Sequence, residues 1–144
     1  MSNCQYVMIP LEKWNAMIKY PKTNPPSQRL RVAAVQMESQ PGNKKANFAR
    51  IDVFVRQAAD QSVDLIVFPE CCISGYWFIR NLSALQLAEL AEPVPDGAST
   101  QRLVELARNY KLGIGAGLIE ASETGFYNSY VVAQADGSLH CHRK

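Results

Sequence analysis

The order of patterns along the chain predicts an α/β fold in which helices pack as a layer against a sheet. Three observations carry this. Short apolar runs rich in β-branched residues alternate with stretches of helical period over residues 31–120. The helical stretches keep their apolar residues on one side. Residues 127–144 then hold two strand patterns joined by an Asp-Gly turn signal.

Val7, Ile9 and Leu11 alternate, and Leu11, Trp14 and Ile18 then recur at helical spacing, which predicts a short strand leading into a helix. Pro21, Pro25 and Pro26 fix the backbone, remove donors and disfavour helix before each ring. Residues 1–28 are therefore an N-terminal extension with a Pro-rich linker, and 29–144 the domain. Residues 31–37, "RVAAVQM", form a buried strand stopped by "PGN". Asn43 suits the N-cap of a helix over 44–60, in which Phe48, Ile51, Val55 and Ala58 recur at steps of three or four. Residues 63–68 are the next strand, ended by Pro69. An apolar stretch at 76–79 and a short helical pattern at 82–90 run up to the breaker "EPVPDGAS". A further helix follows, with Ser99 as its expected cap and Leu103, Leu106, Ala107 and Tyr110 as its buried face. Residues 111–120 are a strand whose Gly113, Gly115 and Gly117 predict close approach by another backbone or a ligand. "YNSYVVAQ" and "SLHCHRK" complete the pattern through "ADG". No turn, cap or polar tail follows the last strand, so a missing C-terminal remainder of the domain is expected.

The chain has 144 residues, room for one domain. Its composition, 47% hydrophobic and 19% charged, excludes disorder. A net charge of +2 without a long basic run provides no footprint for nucleic acid or an anionic membrane, which leaves small molecules as the expected partners. No stretch approaches the roughly 18 apolar residues of a membrane span. The first twelve residues hold no Lys or Arg for a signal peptide, so a cytoplasmic protein is expected. Cys4, Cys71, Cys72 and Cys141 form neither a CxxC pair nor a disulfide framework, so reduced thiols and no metal or other cofactor are expected.

Few residues could carry chemistry. Glu70 sits just past a strand, at the carboxyl end where open α/β sheets bind ligands; from position alone a solvated strand-end acid is the better explanation. In "SLHCHRK" a period of two puts Ser138, His140, His142 and Lys144 on one face and Leu139, Cys141 and Arg143 on the other. Cys71 and Cys72 are better read as small packing residues than as nucleophiles, because an adjacent anionic carboxylate raises a thiol pKa. The same alternation turns Cys141 away from His140 and His142, against a metal site. The glycines of 113–117 precede no helix start, so no phosphate-binding loop is present.

In order and spacing, "RVAAVQM", the helix after "PGNKKAN", "DLIVFPECCISGY", "LAEPVPDGAST", "GAGLIE", "YNSYVVAQADGSL" and "HRK" resemble the nitrilase superfamily, the carbon-nitrogen hydrolases. The resemblance runs from about Arg31 to Lys144 and covers the N-terminal part of the family's domain. It implies half of a four-layer α-β-β-α sandwich, incomplete at the C-terminus, and hydrolysis of an amide or nitrile through a Glu, Lys, Cys triad. Glu70 matches the glutamate of the family's "FPE" segment and Lys144 the lysine that closes its "RK" segment. The nucleophilic cysteine belongs to a later strand-to-helix turn, so Cys71, Cys72 and Cys141 do not match it, and this chain alone is expected to be inactive. Tyr76 and Trp77, in "GYWFIRN", are the expected substrate-binding residues, with Trp77 and Phe78 favouring an apolar or aromatic acyl group. A small-molecule amide or nitrile is the implied partner, with a homo-oligomer when the protein is full length. Two other readings stay open: a non-catalytic binding or regulatory fragment of a fused hydrolase, and the glutaminase part of an ammonia-channelling synthetase. The isolated chain is expected to be of low stability and prone to self-association, since a halved sandwich leaves an apolar face uncovered.

Overall fold

The computed structural model describes residues 29–144. The strand and helix expected within residues 1–28 lie outside them. The elements are β1 (Val32–Ala34), α1 (Lys44–Asp60), β2 (Leu65–Val67), a 3₁₀ turn (Trp77–Asn81), α2 (Ala84–Leu90), α3 (Ala98–Tyr110), β3 (Gly113–Ser122), β4 (Gly125–Ala133) and β5 (Leu139–Arg143). They build one five-stranded sheet in the order β1-β2-β3-β4-β5. β1, β2 and β3 are parallel and are joined by helical crossovers, whereas β3, β4 and β5 form an antiparallel meander.

α1 forms where local signals agree. Asn43 accepts from the Ala46 N–H at 3.1 Å, and Ile51, Val55 and Ala58 line the buried stripe. That stripe packs beside Leu103, Leu106 and Ala107 of α3, and both cover Ile66, Ile114, Ala116, Leu118, Val131 and Ala133 of the sheet in one core. Burying side chains of this size stabilises by roughly 1.5–3 kcal/mol each. α2 is short and is held by a capping box between Ser83 and Gln86.

Ser99 is not the cap of α3. Gly97 occupies that position, and Ser99 lies inside the first turn, where its N–H and its hydroxyl both donate to Glu92 at 2.7 Å. The capping carboxylate therefore comes from the preceding segment and sits on the orphan donors of the helix start, where the macrodipole favours negative charge. The strand read over 31–37 pairs only over Val32–Ala34, because β2 offers three partner residues. β4 starts earlier than the sequence pattern suggests: Gly125 already pairs with Ser122, closing a tight β3–β4 hairpin.

Cross-strand register sorts the side chains of β3, β4 and β5 onto two faces. Gly117 stands opposite Tyr130 and Tyr130 opposite His142, while Ala116 stands opposite Val131 and Val131 opposite Cys141. Ala116 and Val131 belong to the helix-covered core, so the glycines of β3, with Asn128, Tyr130 and His142, occupy the face turned away from the helices. The segment after β2 crosses that face. It approaches so closely that a Cβ on Gly117 would lie 2.3 Å from the Cys71 nitrogen. Gly117 is thus a requirement for space, as the sequence pattern anticipated for this strand.

Candidate functional site

β2 ends at Val67, and Phe68 continues it by donating to the Gly115 carbonyl at 2.8 Å. Pro69 then brings Glu70 out at the strand's carboxyl end. The chain turns at once: Cys71 has φ +48°, and the Ile73 N–H reaches the Gly117 carbonyl at 3.1 Å. A non-glycine residue at positive φ is sterically unfavourable and persists only where its surroundings hold it. Here the two hydrogen bonds to β3 fix both ends of the turn. Asn47 of α1, fully buried, secures it from behind by donating to the Ile73 and Gln40 carbonyls at 2.9 Å and accepting from the Gln40 N–H at 2.7 Å.

Lys144 directly follows β5, and its backbone N–H donates to the Asn128 carbonyl at 3.0 Å, extending the ladder by one residue. Its ammonium lies 2.6 Å from Glu70 Oε1. The Asn128 amide also donates to Oε1. The Lys144 ammonium and, after it, the Asn128 amide hold the Glu70 carboxyl below the usual carboxylate range, and Glu70 in turn raises Lys144. The pair is open to water, with side chains 36% and 62% exposed for Glu70 and Lys144, so solvent screens it strongly.

Tyr76 and Trp77 stand edge to face with ring centroids 5.3 Å apart, and both border a cavity of about 680 Å³ that Glu70 also lines. Trp77 is largely exposed, with the Arg80 guanidinium 5.5 Å from its ring centroid. A smaller hollow of about 290 Å³ lies among Glu70, Asn128, Tyr130, His142 and Lys144. The candidate residues Glu70, Lys144, Tyr76 and Trp77 therefore lie around one strand-end region.

The cysteines are placed differently. Cys71 and Cys72 are buried, and burial pushes their thiols up to about 11 and about 12, with the Glu70 charge adding to the effect at Cys71. The Cys71 thiol donates to the Asn128 side-chain oxygen at 3.3 Å. Cys141 is exposed on the opposite sheet face, 3.9 Å from Glu120. Among the described residues no group of three or more His, Cys, Asp or Glu side chains is arranged to hold a metal ion.

Neither Asn128, at the site, nor Glu120, on the opposite face of the same sheet, stood out in the sequence. Asn128 bridges Glu70, Cys71 and Lys144, but only the β3–β4 register brings it there. Glu120 is 1% exposed and binds Arg143 through Nε at 2.9 Å and Nη2 at 2.5 Å, with the Ser129 hydroxyl donating at 2.6 Å. A signal for Glu120 existed, since Ile114, Ala116, Leu118 and Glu120 share one strand face, and an acid ending a buried apolar row requires a cation.

The family model described as carbon-nitrogen hydrolase matches residues 31–144. A nitrilase of Pyrococcus abyssi is 31% identical over 80% of this chain and 43% of its own length, and human omega-amidase NIT2 is 34% identical over 76% of this chain and 37% of its own. Among solved structures, the amidase NitN from Nesterenkonia sp. AN1 superposes with a TM-score of 0.63 at 22% identity, over 81% of this chain and 44% of that one. XC1258 from Xanthomonas campestris, a CN-hydrolase superfamily protein, does so with a TM-score of 0.68 at 24% identity, over 80% and 40%. The chain thus spans less than half the length of these relatives, and its α/β sheet is the corresponding part of their fold. Among the described residues no helix is long and apolar enough to cross a membrane. With the ordered motifs and the family model agreeing over residues 31–144, the chain belongs to the carbon-nitrogen hydrolase family, the nitrilase superfamily.

Proposed function

We propose that this chain carries the base and the lysine of a Glu-Lys-Cys triad that hydrolyses a small amide or nitrile, with Glu70 and Lys144 in those roles and the nucleophilic thiol supplied by residues beyond these 144. The observation that carries the reading is the 2.6 Å contact between Lys144 Nζ and Glu70 Oε1 across 74 residues of sequence, beside an open cavity. The nitrilase and omega-amidase relatives support an amide or nitrile substrate. In a mutant of the Nesterenkonia amidase, acrylamide has undergone Michael addition at the active-site cysteine, which supports a nucleophilic thiol in that relative. None of the three cysteines described here suits that role: Cys71 and Cys72 are buried with raised pKa values, and Cys141 lies on the wrong face.

For an amide, Glu70 takes the thiol proton and the sulfur attacks the carbonyl carbon, moving an electron pair onto oxygen. Lys144 stabilises that oxyanion. As the ammonium turns toward the new charge it relaxes its hold on Glu70, whose proton affinity rises at the moment the proton arrives. The proton then passes to the leaving nitrogen, ammonia departs, and a thioester remains. Water, deprotonated by Glu70, attacks the thioester and releases the acid and the thiol. Tyr76, Trp77 and Phe78 line the cavity beside Glu70, where Trp77 and Phe78 would favour an apolar or aromatic acyl group.

Ammonia release from simple amides by the full-length protein tests this. Glu70→Gln and Lys144→Met should each reduce turnover by at least about 10²-fold, whereas Cys71→Ser and Cys141→Ser should retain it. Wild-type turnover by Glu70→Gln would overturn the assignment. Ammonia release by residues 1–144 alone, abolished in Cys71→Ser, would move the thiol role to Cys71.

A further inference from the structure

Both hydrogen bonds that Glu70 accepts from described side chains fall on the same oxygen. Lys144 Nζ and Asn128 Nδ2 donate to Oε1, and among the described residues no donor reaches Oε2. The Asn128 amide has its orientation fixed by its partners: the Cys71 thiol donates to Oδ1 at 3.3 Å, so Nδ2 is the end turned to the carboxylate. The Asn128 backbone carbonyl also receives the Lys144 N–H at 3.0 Å. One residue thereby touches the acid, the turn that carries the acid, and the strand end that carries the lysine.

We propose that Asn128 is a positioning residue which, together with Lys144, occupies Glu70 Oε1 and leaves Oε2 as the atom that accepts the proton. This rests on the reading of Glu70 as the general base and adds which oxygen acts and what aims it. A carboxylate with both donors on one oxygen keeps the lone pairs of the other for transfer, and its plane is fixed by two anchors approaching from different strands. The Asn128 amide contributes a neutral donor that does not leave when Lys144 turns to the substrate oxyanion, so the carboxylate stays aimed through that exchange. A glutamate held by the ammonium alone would rotate about its last torsion, which is broad for this side-chain type.

The first test needs no turnover. Glu70's side-chain carboxyl is followed by ¹³C NMR through a pH titration of this chain, in wild type, Asn128→Ala, Asn128→Asp and Lys144→Met. Removing a donor to the charged form raises the midpoint, so Asn128→Ala and Lys144→Met should each titrate higher than wild type. Asn128→Asp is isosteric, keeps an acceptor for Cys71 and puts a second carboxylate against Glu70, so its midpoint should rise further than that of Asn128→Ala. The second test uses the full-length protein: Asn128→Ala should lose roughly 10²-fold in kcat with little change in KM, the pattern of a misaimed group. Unchanged midpoints in both Asn128 variants, with Lys144→Met displaced, overturn the role of Asn128 and leave the Glu70–Lys144 pair standing. So does a displaced midpoint with wild-type kcat. Failure of Glu70 as the base is a separate result, read from ammonia release by Glu70→Gln.

Discussion

Gly117→Ala adds one methyl group where β3 passes beneath the peptide that joins Glu70 to Cys71. At ideal geometry the new Cβ lies 2.3 Å from the Cys71 nitrogen and 3.0 Å from both the Cα and the carbonyl carbon of Glu70, where ordinary contact begins at 3.4 Å. All three atoms are backbone, so no side-chain rotation relieves the clash. The Phe68–Gly115 and Ile73–Gly117 hydrogen bonds, 2.8 and 3.1 Å, tie the turn to the same strand and resist its lifting away. Relief therefore requires roughly 1 Å of backbone displacement, at the upper end of the ~1–3 kcal/mol that overpacking costs. The same movement carries Glu70 with it, and adding roughly 1 Å to a strong charge-assisted contact takes it beyond hydrogen-bond range. Gly113→Ala is the control, because a Cβ there meets Leu65 Cδ1 at 2.9 Å and Gln134 Oε1 at 3.1 Å, both far ends of flexible side chains. Urea denaturation and the Glu70 carboxyl titration should show Gly117→Ala less stable than Gly113→Ala, with the Glu70 midpoint raised only in Gly117→Ala. Equal stability of the two variants with an unmoved Glu70 would refute the claim that this glycine sets the position of the acid.

Asn47→Ala removes three hydrogen bonds, a buried one to Ile73 and two part-buried ones to Gln40, and at about 1 kcal/mol each it should lower unfolding free energy by roughly 3 kcal/mol; a loss below about 1 kcal/mol in urea titrations would count against that anchor. Thiol labelling at mildly alkaline pH, read by peptide mass spectrometry, should modify Cys141 well before Cys71 and Cys72, which are buried and raised to about 11 and about 12; faster reaction at Cys71 would contradict its packing role. Lys144 and Arg143 hold the folded-state pKa values of Glu70 and Glu120 below normal, so their stabilisation is complete above the unfolded carboxylate value near ~4.3 and is lost as pH falls through the lowered folded values; urea midpoints already declining at pH 6 would not fit. Glu120→Gln weakens the Arg143 clamp on the helix face, and amide hydrogen exchange should speed up in β5; unaltered protection there would show that the clamp does not secure the strand.

How far the sequence could be read depended on how far apart the deciding residues lie. α1 was legible to both ends because its cap, Asn43, and its stripe, Ile51, Val55 and Ala58, are set within the helix's own residues. α3 misled at its start because the carboxylate that satisfies Ser99 comes from Glu92, itself placed by a bridge to Glu120. β1 was overread because a strand extends only as far as its partner pairs. Glu70 and Lys144 looked like ordinary surface charges one at a time, and only the ordered set of motifs marked them. Asn128 was beyond reach, since its approach to Glu70 depends on Ile119 standing opposite it across β3 and β4, a register set by the hairpin turn at residues 123 and 124.

The pairing of two acids with two consecutive cations explains how the site's geometry is specified. Successive residues of a strand face opposite sides, so Arg143 and Lys144 deliver one positive charge to each face of the sheet. On the helix face Arg143 meets Glu120, which is buried and also bound by Ser129; on the other face Lys144 meets Glu70. The two contacts differ in kind. The buried carboxylate cannot be left without its cation except at considerable cost, whereas the exposed pair contributes little stability. A slip of β5 by one residue that turned Arg143 toward Glu70 would take the bidentate guanidinium away from the buried Glu120 and put His142 in its place, and that penalty favours the observed register. The structural pair thus sets the position of the weaker one, and in the proposed mechanism Lys144 would exchange Glu70 for a substrate oxyanion without loosening the strand that holds it.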